Sequence, residues 1–447
     1  MKKILALIGL AVGLSYATET RVMTMGFAPE FIVDEFYVLQ NPSVITSINS
    51  MYLFELGDTT LAPRYAGVFW TGGDPETGRQ GIGLYLRKNT LLEGFTYTFP
   101  VPQLGFGFVA GKDFGKFSLG TSIYYSQETD NYDVDSTYPS GTDTVKLTGS
   151  DKYTTSNMTF VLGAGLKYAE MSFFQASFAY AKHGYSDETN STYVYDLDPA
   201  DSTPRLNYAF YRTLTEGDGA SSMAFSARAF HFLNEKFALI PALGYRTDNF
   251  STTTPHDSMQ VRTWFPDSTV TVSDTSEDYN VENKGNNMGF GLAANIYPVE
   301  GATIMFGFSG NMSSQDLNFL WRHADAVVDS ALIDTLENHS TKRFQFVTGA
   351  EVPVFRWLCL RGSMRKTILG KITDRTTVSY HDGAPDNTET EETTIDDDLA
   401  IWIGLGIKIG SFTIDGNLDP LFLYHGPYVI GGDDELGFLN VSAKYTF

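Results

Sequence analysis

Arg361 and Arg365 share the polar face of a stretch that alternates apolar and polar side chains. Arg87, Lys167, Arg228, Arg246, Arg343, Lys408 and Lys444 hold the equivalent face of other alternating stretches. Acids are fewer there, with Glu351 and Asp415 the clearest. A planar guanidinium grips a carboxylate at two points, so this face has the chemistry of an anion or carboxylate site. The same cations equally suit structural ion pairs, because an unpaired charge in a narrow, shielded space is costly. Glu30, Asp34 and Glu35, near the N-terminus, are the partners expected for them.

Catalytic and metal chemistry find little support. Of the seven histidines, only His231 lies in a strongly alternating stretch, and there it faces the apolar side near a turn, a poor place for a general base. His381 and Asp382 sit together in a polar stretch, but neither G-x-S-x-G nor H-E-x-x-H occurs. The chain reads as a non-enzyme that needs no cofactor. Its single cysteine, Cys359, excludes an internal disulfide and a cysteine-based zinc site. Asp196, Asp198 and Asp201 offer oxygen ligands without any calcium-motif spacing, and read as a solvated acidic loop. A net charge of −22 makes nucleic acid an improbable partner.

The elements that carry these side chains are strands. At the C-terminus Leu439, Val441, Ala443, Tyr445 and Phe447 fall on one face, and Asn440, Ser442, Lys444 and Thr446 on the other. Met158, Phe160, Leu162, Ala164 and Leu166 alternate in the same way with Thr159, Val161, Gly163, Gly165 and Lys167. Large apolar groups on one face, with glycine, hydroxyl and charge on the other, reverse the pattern of a filled core and describe a barrel that is oily outside and polar inside. Tight turns recur near Lys112–Lys116, Tyr168–Glu170, Asn234–Glu235, Pro298–Gly301, Pro353–Arg356 and Gly410, with long acidic stretches between the hairpins. The expected fold is all-β: a transmembrane antiparallel up-and-down barrel of 14–16 strands, with 16 counted from the alternation. Arg205 to Thr215 is expected as an extra hairpin arm within an outer loop.

Lys2 and Lys3, the apolar run Ile4–Leu14 and the small-x-small site Ser15-Tyr16-Ala17 predict a signal peptide cleaved near Ala17. Three parts follow: a signal peptide over 1–17, an N-terminal hatch over 18–45, and the barrel over 46–447. The expected location is the outer membrane of a Gram-negative cell, with lipid and the barrel-assembly machinery as partners. The last strand resembles the assembly signal of such barrels through Asn440, Tyr445 and Phe447. Within the hatch a short helix is expected from Pro29 to Gln40, ended by Asn41-Pro42.

That N-terminal stretch resembles the start of the long-chain fatty-acid transporter superfamily (FadL-like), which includes PorV-like barrels. Arg21, Met25-Gly26, Asp34-Glu35 and Asn41-Pro42 carry the likeness. Gly-Phe and Pro-Ser-Val stand where the family shows Gly-Gly and Pro-Ala-Gly. The resemblance implies a 14-stranded barrel, a lumenal hatch, and transport of hydrophobic compounds; with the inward arginines, the expected cargo is a hydrophobic or carboxylate-bearing small molecule. Its PorV branch implies the alternative, a secretion accessory or surface binder that engages protein through outer loops rich in tyrosine, such as Tyr132, Tyr138, Tyr193 and Tyr195.

Overall fold

The computed structural model describes residues 19–26, 29–57, 65–74, 78–87, 104–140, 143–196, 205–217, 220–264, 269–324, 332–380, 388–418 and 438–447. The signal peptide, His381, Asp382 and most of the Asp196–Asp201 stretch lie outside these residues.

Period-two alternation settles which way each strand faces. Met158, Leu162 and Leu166 are exposed while Thr159 and Val161 between them are buried. Tyr445 and Phe447 likewise point outward, while Asn440, Ser442 and Lys444 point inward and are buried. The outward set forms the apolar surface that a bilayer requires, and the closed sheet leaves no edge to lipid.

Eighteen strand segments build the wall: β1 (Met51–Gly57), β2 (Tyr65–Asp74), β3 (Gly78–Arg87), β4 (Gly105–Asp113), β5 (Phe117–Ser140), β6 (Asp143–Lys167), β7 (Phe173–Asp196), β8 (Arg205–Gly217), β9 (Ser221–Asn234), β10 (Phe237–Trp264), β11 (Thr269–Ile296), β12 (Thr303–Ala324), β13 (Leu332–Phe355), β14 (Leu358–Tyr380), β15 (Thr388–Ile395), β16 (Leu399–Ile409), β17 (Phe412–Leu418) and β18 (Phe438–Thr446). β8 and β9 run collinearly between β7 and β10. β15 and β16 run collinearly along β14. The barrel therefore has 16 staves, closed where β18 pairs antiparallel with β1.

Two expectations change here. Arg205 to Thr215 is no hairpin arm; it is the outer continuation of β9, and its backbone pairs with β7 and β10. Much of the acidic sequence expected as loop is ladder instead: Glu128 to Ser140 pairs with Asp143 to Thr155 through β5 and β6. Strands as long as 28 residues far exceed the roughly 9–11 that cross a bilayer, so these hairpins continue well past the membrane.

At the other end the connections are short. The turns at Gly115, Gly301 and Gly410 take positive φ (91°, 77° and 62°), a conformation glycine adopts without steric cost.

The described residues between 19 and 50 form no strand. A short helix, α1 (Glu19–Thr24), is followed by 3₁₀ turns at Pro29–Phe31, Glu35–Leu39 and Pro42–Thr46. The expected continuous helix from Pro29 to Gln40 is broken at Ile32–Asp34, where Arg228 of the wall takes the Ile32 carbonyl and Arg21 of the segment itself takes Val33 O and the Asp34 carboxylate. The first strand begins at Met51 rather than 46, because Pro42–Thr46 is wound into the third turn. Met25, Phe31, Ile32, Tyr37, Leu39 and Ile45 are almost wholly buried, in one apolar cluster with Phe69, Phe230, Ile240, Met305 and Val347 of the wall.

Candidate functional site: the barrel interior

The N-terminal segment and the inward faces of the strands meet through a chain of buried charges. Arg21 of α1 donates from Nε to Glu351 Oε2 at 2.6 Å and from Nη2 to Glu351 Oε1 at 3.2 Å. Its Nη1 reaches Asp34 Oδ2 at 3.4 Å. Glu351 Oε2 also accepts from Arg361 Nε at 2.6 Å, and Arg361 Nη1 donates to Asp415 Oδ1 at 2.6 Å. Asp34, Arg21, Glu351, Arg361 and Asp415 thus form one line from the segment across β13 and β14 to β17. Burial alone would lower the pKa of Arg21, but Glu351 and Asp34 outweigh it, so Arg21 is held more firmly protonated than usual.

Two further contacts tie the segment to the wall, one near its centre and one near its start. Lys444 Nζ of β18 donates to Glu35 Oε1 at 3.0 Å. Thr20 donates to Glu55 Oε1 of β1 from both its backbone N–H (2.5 Å) and its hydroxyl (2.6 Å).

Arg228 of β9 is buried against the middle of the segment. Its Nη1 donates to Ile32 O at 2.9 Å and its Nε to Gln175 Oε1 at 2.8 Å. The guanidinium lies 3.3 Å from the centroid of the Tyr37 ring, close enough for a cation–π contact worth roughly 0.5–2 kcal/mol. Asn295 Nδ2 of β11 donates to Phe31 O at 2.9 Å. These wall donors take the carbonyls of Phe31 and Ile32, where the expected helix breaks. Glu30 sits nearby. Burial raises its carboxyl above the usual 4.5, opposed by its own backbone N–H and by Arg228 and Arg365.

Asn41 anchors the last turn. Its Oδ1 accepts from Ser43 N–H at 3.1 Å and from the Ser43 hydroxyl at 2.7 Å, while Nδ2 donates to Ala164 O and Ala176 O of the wall. The turn lies so close to the wall that side chains would not fit beneath it. A Cβ on Gly163 would stand 2.1 Å from Asn41 Oδ1, and one on Gly120 would stand 2.3 Å from Pro42 C.

Of the six basic residues singled out from the sequence, the structure brings Arg228 and Arg361 to the segment or its ion-pair line. Arg365 lies over Trp402, 5.1 Å from the ring centroid. Arg246 instead pairs with Asp248 of its own strand at 3.0 Å, and Arg343 pairs with Asp396. Lys408 is held at the short-turn end, where its N–H bonds Trp357 O at 2.8 Å. Of the segment's acids, Glu35 meets a wall cation, whereas Asp34 meets Arg21 of the segment itself. Sequence reasoning missed Arg21 as the hub, Glu55 and Tyr37. The inward glycines facing the Asn41 turn were the available signal.

A row of aromatic rings lines the inner face of β2, β3 and β5. Tyr65 and Tyr85 have centroids 5.9 Å apart, and Tyr85 and Tyr124 6.2 Å apart. The rings cover glycines: a Cβ on Gly107 would lie 2.1 Å from the Tyr85 ring. Tyr124 OH donates to Arg87 O at 3.1 Å and Tyr85 OH bonds Ser122 Oγ at 3.0 Å, so the polar tips are satisfied. Among the described residues no group of three or more His, Cys, Asp or Glu side chains could hold a metal ion.

No protein-family model matches the chain, and no curated protein matches it. Solved outer-membrane barrels do. The toluene transporter TodX of Pseudomonas putida matches with a TM-score of 0.35 and 10% identity, over 96% of this chain and 97% of that one. The outer membrane protease OmpT of Escherichia coli matches with a TM-score of 0.24 and 13% identity, over 76% of this chain and 96% of that one. The translocator domain of the autotransporter NalP of Neisseria meningitidis matches with a TM-score of 0.21 and 13% identity, over 74% and 88%. At scores this low no activity follows from the likeness. The fold is a closed antiparallel β-barrel with an apolar outer surface.

Proposed function

We propose that this barrel is a FadL-like transporter of hydrophobic or carboxylate-bearing small molecules, with residues 18–45 as its hatch. The observation that carries the reading is the combination of a segment tied into the lumen by buried ion pairs with an aromatic inner wall beside it. An open diffusion pore would have no use for either. Ion pairs hold the segment at α1 together with the buried Val22, so its release exchanges charged partners, and some apolar contact, for water or for a ligand. Arg228 and Arg361, which already bond the segment or its ion-pair line, are the cations that would take a ligand's carboxylate. The long acidic hairpins, with Tyr132 exposed on β5, favour the second reading, a PorV-like accessory that engages protein outside the cell.

Uptake tests the choice. Proteoliposomes carrying the protein should take up a medium-chain fatty acid or alkylbenzene faster than empty liposomes, and exclude a hydrophilic sugar of similar mass. Uptake of the apolar solute no faster than in empty liposomes would overturn the transporter reading.

A further inference from the structure

On the outer face of the wall, across β3 to β7, the apolar surface dips into a groove of about 880 Å3, within the roughly 300–1,000 Å3 of small-molecule clefts. Its floor is made of small outward residues that pair directly across the strands: Ala110 with Thr121, and Ala164 with Ala176. Large side chains close both ends, Trp70 and Ile82 on one side and Phe178 and Phe225 on the other. The dent is therefore a feature of the side-chain pattern, set into a surface that is otherwise covered by large apolar groups.

Two polar groups interrupt it. Lys112 lines the groove next to the short turn at Gly115, and its ammonium lies 5.3 Å from the Phe114 ring centroid. Thr121 Oγ1 is shielded from solvent and has no hydrogen-bond partner. Lys112 pairs with Leu119 in register, so Thr121 is its diagonal neighbour, roughly 7–8 Å away. A cation at the interface and an apolar trough beyond it match a phosphate and an acyl chain in that order.

We propose that this groove binds one anionic phospholipid of the leaflet at the short-turn end of the barrel. Its phosphate lies at Lys112, and an acyl chain fills the trough over Ala110, Ala164 and Ala176. The occupant is a lipid because the groove is continuous with the bilayer-facing surface and carries a cation where the headgroups lie. The wall is thin at this place. Asn41 Nδ2 donates to the carbonyls of Ala164 and Ala176 from the inside, so only one layer of backbone separates lipid from the N-terminal segment.

Native mass spectrometry of the full chain, released from mixed phosphatidylglycerol and phosphatidylcholine, tests this. Wild type should retain one phosphatidylglycerol in preference to phosphatidylcholine. Lys112→Glu should cut that preference by about fivefold or more, since one lysine near an anionic surface contributes about that factor. Ala164→Trp should fill the trough and abolish retention of both lipids. Val352→Trp, an outward residue on β13, should leave retention unchanged and controls for a general loss of lipid. Folding of every variant is checked by its altered gel mobility before and after boiling. Equal retention by wild type, Lys112→Glu and Ala164→Trp would overturn the proposal. So would an equal loss in Val352→Trp, or a dimer of barrels taking the place of the lipid.

Discussion

Glu351 is the carboxylate on which the interior charge line depends. It accepts from both Arg21 and Arg361 while almost fully buried. Replacing it by Gln leaves two buried guanidinium groups short of an anion, and breaking a buried pair typically costs about 3–5 kcal/mol. We expect Glu351→Gln to lower the denaturant midpoint of the lipid-folded barrel, read by tryptophan fluorescence. Glu351→Asp should recover part of the loss. An unchanged midpoint in Glu351→Gln would mean that the line is not holding the segment. Glu30 gives a pH dependence of the opposite kind from a salt-bridged acid. Burial raises its carboxyl above 4.5, so the folded state holds the proton more tightly than the unfolded one. Its contribution to stability is fully present below that ordinary value and is lost as pH rises through the raised one. Glu30→Gln should therefore flatten the fall in stability between about pH 4.5 and neutrality. A fall of the same size in the variant would assign the pH dependence to other groups. The inward cations were legible at this scale because alternation alone gives the facing of a strand residue. Their partners were not, because Arg21 and Glu351 are 330 residues apart.

Strands were readable from the sequence wherever one face meets lipid. Phe438–Thr446 and Leu399–Ile409 have the expected facing because every second residue is large and apolar. Beyond the membrane that signal stops. Glu128 to Ser140 is polar on both faces and still forms ladder, since its order comes from backbone pairing with Asp143 to Thr155 rather than from burial. The Pro29–Gln40 helix failed for a related reason: wall donors such as Arg228 and Asn295 take the segment's carbonyls. The packing of the Asn41 turn against Gly120 and Gly163 gives a prediction about this element. Gly163→Val places atoms where Asn41 Oδ1 now stands, while the β-branched side chain still suits strand backbone. The barrel should assemble, judged by heat-modifiable mobility, while its N-terminal segment becomes more readily cut by added protease. Protection equal to wild type would show that the turn does not depend on the cradle. The terminal strand bears on closure instead. Phe447 N–H donates to Ser50 O at 3.0 Å and its ring lies 4.9 Å from that of Tyr52. Deleting Tyr445 to Phe447 shortens the β18–β1 seam and exposes its edge, so the truncated chain should fail to assemble. Normal heat-modifiability of that chain would contradict this.

For the whole molecule, the count of 16 staves agrees with the alternation and not with the 14 strands implied by the family resemblance. The extra segments, β8 and β15, are interrupted continuations and add no stave. A barrel of this size encloses room that side chains alone need not fill. Here an apolar cluster shared by the N-terminal segment and the wall occupies part of it, tied down by the Arg21 line, by Lys444 and Glu35, and by Asn41. We propose that this segment blocks free passage through the barrel. Planar-bilayer conductance of the intact protein, set against a chain lacking residues 18–45, tests it most directly. The intact protein should be silent and the shortened one should conduct steadily; a large, stable conductance in the intact protein, unchanged by the deletion, would mean that the segment does not close the barrel.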